Sequence, residues 1–320
     1  MKAHQTGAAL LTAMLTVALV ASMAAAALWQ QWRGVEVETA ERTRTQSLWV
    51  LTGALDWARL ILREDARSGG ADHLGEPWAV PLEEARLSTF LAVDKNSTAD
   101  STEAIAQVFL SGSITDLQGR MNVLNLVEDG KVSAPWLHAF SRLFDQLGLP
   151  LSELAALAEN LRFAQDTAVE NGSYRLAPLL PQRVGQLRWL GLSEISLAKL
   201  AAYITVLPVR TPVNLNTASA TVLYACVPNL DLAQAQSLAS SRQTGHFRTL
   251  SDVSKVVAEV AGELFDARHS VNSRFFEVQG RLRLDQTVVE ERSVVQREGL
   301  NVKTLWRDRG ATTLKLAPLQ

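Results

Sequence analysis

The sequence predicts an α+β protein. A long N-terminal transmembrane helix leads into an antiparallel sheet domain, and a large all-helical insertion containing a helix-hairpin-helix-like unit interrupts that sheet. Three observations predict it. Residues Ala8 to Trp29 carry no charge. Short segments with period-two alternation, the mark of half-buried strands, lie near Phe109–Leu126 and again in the last fifty residues. Between them, from Ser133 to about His269, apolar residues recur at helical spacing.

The chain opens with a polar leader, MKAHQTG, ending in Gly7. An uncharged run of about 20 residues is long enough to cross a bilayer as a helix. Lys2 precedes it with no carboxylate in the leader, so the positive-inside rule puts the short end in the cytoplasm and the bulk outside the inner membrane. Ordinary secretory signals have a shorter apolar core. The abrupt start after a glycine resembles a type IV prepilin leader, in which the cut falls after Gly7 and the apolar helix is retained. Two other fates also fit. ASMAAAA at 21–27 contains small-x-small sites of the kind a signal peptidase cuts, and the helix could equally stay as an uncleaved anchor.

The helix is expected to continue to about Arg67, with Leu48, Leu51, Leu55, Ala58 and Leu62 forming one apolar stripe. Gly34 and Gly53 weaken it by about 1 kcal/mol each relative to alanine, and Ser68-Gly69-Gly70 ends it. After the polar loop ADHLGEPWAVPLEEA, residues Phe109–Leu126 read as strand. Ser133-Ala134-Pro135 reads as a helix start, with a capping hydroxyl and proline in the first turn. Trp136, Phe140, Leu143, Phe144 and Leu147 form that helix's apolar face, and Gly148 stops it. A second helix is expected over Ser193–Leu207, stopped by Pro208. VNLNTASATVLYACV opens a third and DLAQAQSLASSR a fourth. At the C-terminal end Phe276, Val278, Leu282 and Leu284 share one parity, broken by Gly280. TVVEERSVVQ and LNVKTLW follow, joined by a turn at Arg297-Glu298-Gly299. One sheet built from both flanks of the helical block explains this order. The expected division is a leader at 1–7, a membrane and sheet-packing helix at 8–67, a sheet domain from 68–132 and 272–320, and a helical insertion at 133–271.

Composition narrows the function. The 320 residues carry a net charge of −2 with 20% charged residues, which argues against a polyanion-binding surface. A single cysteine, Cys226, rules out a disulfide within the chain and reads as a small buried residue. P-loop, HExxH, GxSxG and paired CxxC patterns do not occur, and the five histidines lack metal-ligand spacing. No catalytic, cofactor-binding or metal-binding residue is therefore assigned, and the chain is not expected to be an enzyme. His138 and His246 have no sequence partner that would make a triad.

Residues 213–253 resemble the helix-hairpin-helix of membrane-anchored competence DNA receptors, which makes a periplasmic DNA-binding protein the rival reading. DNA-binding versions present glycine-rich backbone N–H groups and basic residues to phosphate. Here the turn is Pro228-Asn229-Leu230-Asp231, and between Thr211 and Phe265 three basic residues face four acidic ones. Phosphate affinity needs several cationic contacts. The motif is better read as a packing unit in which Asn214 and Asn216 cap or turn the chain.

Taken together, the order of GAALLTAML at the leader junction, GEPWAVP at 75–81, ITDLQGRMNVLNLV at 114–127, TPVNLNTASATVL at 211–223 and SRFFEVQGRLRL at 273–284 resembles the K-type minor pseudopilins of type II secretion. The resemblance covers nearly the whole chain and implies a pilin-like sheet domain. It implies cleavage after Gly7 by the prepilin peptidase and methylation of Ala8. It also implies assembly with the H-, I- and J-type minor pseudopilins and the major pseudopilin. Such a protein sits in the inner membrane, with its bulk in the periplasm, before it caps or initiates the pseudopilus that exports folded proteins. Inner-membrane lipid is then a partner and nucleic acid is not.

In most pilins and pseudopilins the fifth residue after the cleavage glycine is glutamate, thought to meet the N-terminal amine of a neighbouring subunit. Here it is Thr12, as expected of a tip subunit with no neighbour ahead. The stripe Ala9, Leu10, Ala13, Leu15, Val17 and Leu19 would face lipid and, later, neighbouring helices. Family members often carry calcium ligands in the helical domain. The matching stretch, LAENLRFAQDTAVENGSYRLAP, offers Glu159, Asp166 and Glu170 but places Arg162 among them, so no calcium site of the family type is expected.

Overall fold

The computed structural model describes residues 6–87, 108–166, 177–260, 262–264, 267–284 and 287–313. Helix α1 spans Thr6–Ser68. The chain divides into two compact units at Gly53/Ala54. From Thr6 to Gly53 the chain is α1 alone, and all of Ala8–Trp29 is exposed.

Five antiparallel strands form one sheet: β1 (Leu82–Arg86), β2 (Val108–Asp116), β9 (Phe275–Leu284), β10 (Thr287–Glu298) and β11 (Asn301–Thr313). They lie in the order β1-β2-β9-β10-β11. The β2–β9 ladder runs from Val108↔Leu284 to Asp116↔Phe276, so the two flanks of the helical block are neighbours in the sheet. The last residues of α1 lie on this sheet. Leu55, Ala58 and Leu62 bury against Phe276, Val278, Val295 and Val302, with Trp78 closing the layer. The Arg59 guanidinium reaches over the edge to the Val302 carbonyl at 2.7 and 2.9 Å. Gly299 (φ 56°) occupies the first central position of the two-residue β10–β11 turn, between Glu298 and Asn301. The expected turn at Arg297-Glu298-Gly299 is therefore displaced: Arg297 and Glu298 remain in the ladder.

The helical body consists of α2 (Ala134–Leu147), α3 (Leu151–Gln165), α4 (Glu194–Leu200), α5 (Ala220–Cys226), α6 (Leu232–Ser241) and α7 (Leu250–Val256), with a 3-10 segment at Val184–Leu190. Two-residue parallel ladders tie its ends together. β3 (Met121–Asn122) pairs with β6 (Ile204–Thr205), and β7 (Val213–Asn214) pairs with β8 (His269–Ser270). A tight hairpin joins β4 (Val127–Glu128) to β5 (Lys131–Val132) through Asp129 (φ 49°) and Gly130 (φ 72°), both left-handed as its primed turn demands. One continuous core runs through Phe140, Phe144, Leu157, Leu187, Leu223 and Leu238.

Three expectations are corrected here. Phe109–Leu126 is not one strand: β2 ends at Asp116 and the chain leaves the sheet through 3-10 turns at Leu117–Gly119 and Val123–Leu126. The Asp116 and Asn122 side chains accept from the N–H groups of Gln118 and Leu124, which diverts the backbone from the ladder. Met121, Val123, Leu124 and Leu126 are all buried, with no alternation, because they belong to the core of the helical body. The helix expected over Ser193–Leu207 closes at Leu200, where the β-branched pair Ile204-Thr205 takes an extended ladder instead. Lastly, the Ser133 hydroxyl does not cap α2; it faces Glu128 Oε2 at 3.4 Å, while Pro135 and the left-handed Gly148 (φ 62°) start and stop the helix as expected.

Candidate functional site

The motifs picked out in the sequence converge on one buried polar junction between sheet and helical body. Asp116 stands at its centre, at the end of β2. Its Oδ2 accepts from Thr217 Oγ1 (2.6 Å), Ser273 Oγ (2.6 Å) and Asn214 Nδ2 (3.1 Å), and its Oδ1 accepts from the Gln118 N–H (2.7 Å). Complete burial pushes the Asp116 carboxyl up to about 6 in spite of these donors. Asn214 also donates to the Asp72 carbonyl (3.2 Å) and Ser273 Oγ (2.9 Å), and its Oδ1 accepts from the Asn216 N–H (2.9 Å). Asn216 in turn brackets Phe247, donating to its carbonyl and accepting from its N–H, each at 2.9 Å. A buried amide is worth keeping only if its groups are satisfied, and here one residue ties three remote segments together.

A second set of amides seams 114–127 to 209–212. Asn122 donates to the Val209 carbonyl (2.8 Å) and accepts from the Leu207 N–H (3.2 Å). Asn125 exchanges both bonds with Thr211 (2.8 and 3.1 Å). Gln118 donates to the Pro212 carbonyl (3.2 Å) and accepts from the Arg274 N–H (2.7 Å). Gly119 is required because a Cβ there would lie 2.9 Å from Thr217 Oγ1 and 3.1 Å from its backbone.

The charged end of the junction is formed by Arg297 of β10. Its guanidinium bonds Asp65 near the end of α1 (2.5 Å), Asp72, and the Ser273 carbonyl (2.8 Å). Burial opposes the guanidinium charge, but Asp72 and Asp65 hold its pKa above the ordinary arginine value. Burial raises Asp72 in spite of Arg297. Glu76 accepts from the His73 N–H (2.9 Å) and Trp78 Nε1 (2.7 Å). Burial first, and the nearby Asp65 after it, push Glu76 up to about 7. Asp65, Asp72 and Glu76 bring carboxylate oxygens within 4.8 Å of one another. They line an open cavity of about 540 Å³ whose charge Arg297 already neutralises in part, so a cation there would compete with a guanidinium. Sequence spacing gave no hint of this cluster.

The other singled-out residues fall as follows. Residues Met1–Gln5 of the leader lie outside the described residues, and Gly7 and Ala8 fall within the first turns of α1. Thr12 donates its hydroxyl back to the carbonyls of Ala8 (3.0 Å) and Ala9 (2.9 Å). Thr16 and Ser22 do the same toward Ala13 and Ala18. Polar groups in the apolar run are thus satisfied within the helix, which is what a lipid environment requires. The helix is long and apolar enough to cross a membrane.

Cys226 is buried and its thiol pushed up to about 12 by burial, which leaves it unreactive. His246 stacks on His73, ring centroids 3.8 Å apart, while His269 Nε2 donates to the Cys226 carbonyl at 3.1 Å. Of the three carboxylates weighed for calcium, Glu159 pairs with Arg162 (3.0 Å), Asp166 follows the end of α3, and Glu170 lies outside the described residues. In the helix-hairpin-helix turn, Arg142 takes the Val227 (2.7 Å) and Leu230 (2.5 Å) carbonyls, and Asn229 Nδ2 donates to Glu263. Leu230 anchors the turn in the core, while Asn229 and Asp231 are exposed beside the acid Glu263, a poor setting for phosphate.

A long apolar N-terminal helix, an antiparallel sheet packed on its far end and an inserted helical body define a pilin-like secretion subunit. The family described as "Type II secretion system (T2SS), protein K" matches residues 213–272, and its first-domain counterpart matches 119–209. The Type II secretion system protein K of Pseudomonas aeruginosa is 28% identical over 97% of this chain and 94% of its own length. A chain in the crystal structure of the GspK-GspI-GspJ complex from the enterotoxigenic Escherichia coli Type 2 Secretion System superposes with a TM-score of 0.66 at 19% identity. That match covers 85% of this chain and 98% of the other. These likenesses support a minor pseudopilin role in type II secretion for this chain, and the protein K family it resembles is not one of known enzymes. The DNA-receptor reading is set aside.

Proposed function

We propose that this minor pseudopilin occupies the tip of the pseudopilus and starts or caps its assembly. The observation that carries the reading is Thr12. Where the family at large places a glutamate for the neighbouring subunit's amine, this chain has a hydroxyl folded back on its own backbone. A subunit with nothing there to receive a neighbour suits the leading position. In this reading the prepilin peptidase cuts after Gly7 and methylates Ala8, and α1 anchors the mature chain in the inner membrane with its bulk in the periplasm. Residues 8–67 act as anchor and sheet-packing helix, 68–132 with 272–320 as the pilin-like domain, and 133–271 as an insertion too wide for the filament shaft, with 121–127 of the first flank packed into the insertion's core. The H-, I- and J-type minor pseudopilins and the major pseudopilin are its partners; the complex named for the E. coli relative supports the I- and J-type among them.

Intact mass of membrane-extracted protein, with and without the peptidase, tests the reading. A mature chain beginning at Ala8 is expected. One beginning near Leu28 ends the proposal. Co-purification with I- and J-type partners tests the tip position separately, since its failure leaves the anchored class standing.

A further inference from the structure

The apolar run of α1 ends in a group of side chains that its membrane role has not yet used. Trp29 and Trp32 are three residues apart on one helix and so share a side, and both indoles are exposed, at 60% and 62%. Arg33, one turn beyond Trp29, holds its guanidinium 5.5 Å from the Trp29 ring centroid. We propose that Trp29, Trp32 and Arg33 form a collar that seats in the headgroup interface of a phosphate-bearing lipid bilayer and fixes the depth of α1. The inference rests on α1 being retained in the mature chain.

Length supports the assignment. At about 1.5 Å per residue, Ala8 to Trp29 spans about 33 Å, against a hydrocarbon core of about 30 Å. The indoles therefore arrive where hydrocarbon gives way to headgroups, the depth that amphipathic aromatic rings prefer. Arg33 is the first charge after the run, about 6 Å further along, and its long side chain reaches phosphate level. A cation there complements lipid phosphate, and the next charged residue, Glu36, falls a further turn into water. Of the other six tryptophans, Trp78 and Trp136 are buried in the two cores, Trp49 and Trp57 lie about 30 and about 42 Å further along α1, and Trp189 and Trp306 sit in the 3-10 segment and in β11.

The test uses the full chain reconstituted in phosphatidylcholine–phosphatidylglycerol vesicles whose acyl chains carry bromine either near the headgroup or near the chain end. The emission that disappears in the Trp29→Phe, Trp32→Phe double variant belongs to the collar. It is expected to be quenched roughly twofold more by shallow bromine than by deep bromine, as an interfacial ring requires. Arg33→Glu should lower the shallow quenching by setting a carboxylate against anionic lipid. If the chain floats with the vesicles but this emission is unquenched, or quenched best from the bilayer centre, the collar is overturned while the anchor stands. An unchanged profile for Arg33→Glu removes the phosphate contact from the proposal. A chain that does not float overturns collar and anchor together.

Discussion

The helical body and the sheet are held together by different chemistry. The helical body closes on itself around a large apolar core. Where its ends meet, neutral amides do the fastening: Asn122, Asn125, Asn214 and Asn216 bond mainly to backbone groups. The sheet gathers segments more than two hundred residues apart over a much smaller core. There the buried contacts are ionic. Arg297 holds Asp65 and Asp72, and Glu291, 3% exposed in its side chain, pairs with Arg309 at 2.5 Å. Buried ion pairs add little net stability, because desolvation cancels much of the attraction, yet a lone partner is costly. Both chemistries join remote segments: Arg297 reaches partners 225 and 232 residues away by charge, and Asn122, Asn125 and Asn214 reach partners 86 to 142 residues away without burying one.

The largest effect that could break this comparison is at Arg297. Arg297→Met strands two buried carboxylates and should cost about 3–5 kcal/mol by urea unfolding in detergent. A variant that unfolds at the wild-type denaturant midpoint would show that the ion pairs do not join the segments. Acid should sharpen the contrast next. His269 is held neutral, its pKa lowered to about 4 chiefly by burial. Its contribution is present above 6.5 and lost as pH falls toward 4, about 3 kcal/mol in all.

Asp116, raised to about 6, has the opposite sign: its contribution is full below 3.8 and lost as pH rises through 6. Stability measured from pH 4 to 7 should therefore separate from His269→Gln and from Asp116→Asn with opposite slopes; parallel curves would sink the assignment. Asn214→Ala comes third, at about 1–3 kcal/mol, since it removes the donor shared by Asp116, Ser273 and the Asp72 carbonyl. Asn214 and Arg297 share Asp72 and Ser273, so Asn214→Ala and Arg297→Met should not add, whereas Asn214→Ala should add to a helical-core variant such as Leu157→Ala. Smallest is Gly299→Ala, about 1 kcal/mol for placing a Cβ at φ 56° in the β10–β11 turn.

Local signals are legible where local physics decides. The uncharged run, the stop at Gly148, the parity of β9 and the burial of Cys226 all follow from neighbours in sequence. Other features carried a signal that was not used. Asp129-Gly130, flanked by Val127-Glu128 and Lys131-Val132, marks a two-residue hairpin, and it is one. The polar residues Asp116, Gln118, Asn122 and Asn125 of ITDLQGRMNVLNLV are buried partners of the stretch around TPVNLN. Every residue from Leu117 to Gly119 and from Met121 to Val127 is buried, and a run without alternation is poor evidence for a half-exposed strand. The stacking of His73 on His246 and the meeting of Asp65, Asp72 and Glu76 left no trace in spacing.

The sequence by itself determined the pieces: a helix wherever charge is absent or apolar residues recur three and four apart, a strand where they alternate, and a stop where glycine takes a left-handed turn. Periodicity reports only which side of an element is apolar. Which pieces touch was decided by tertiary structure. Positions 72, 116, 214, 273 and 297 come together because each buried donor and acceptor among them needs a partner that its own segment cannot supply.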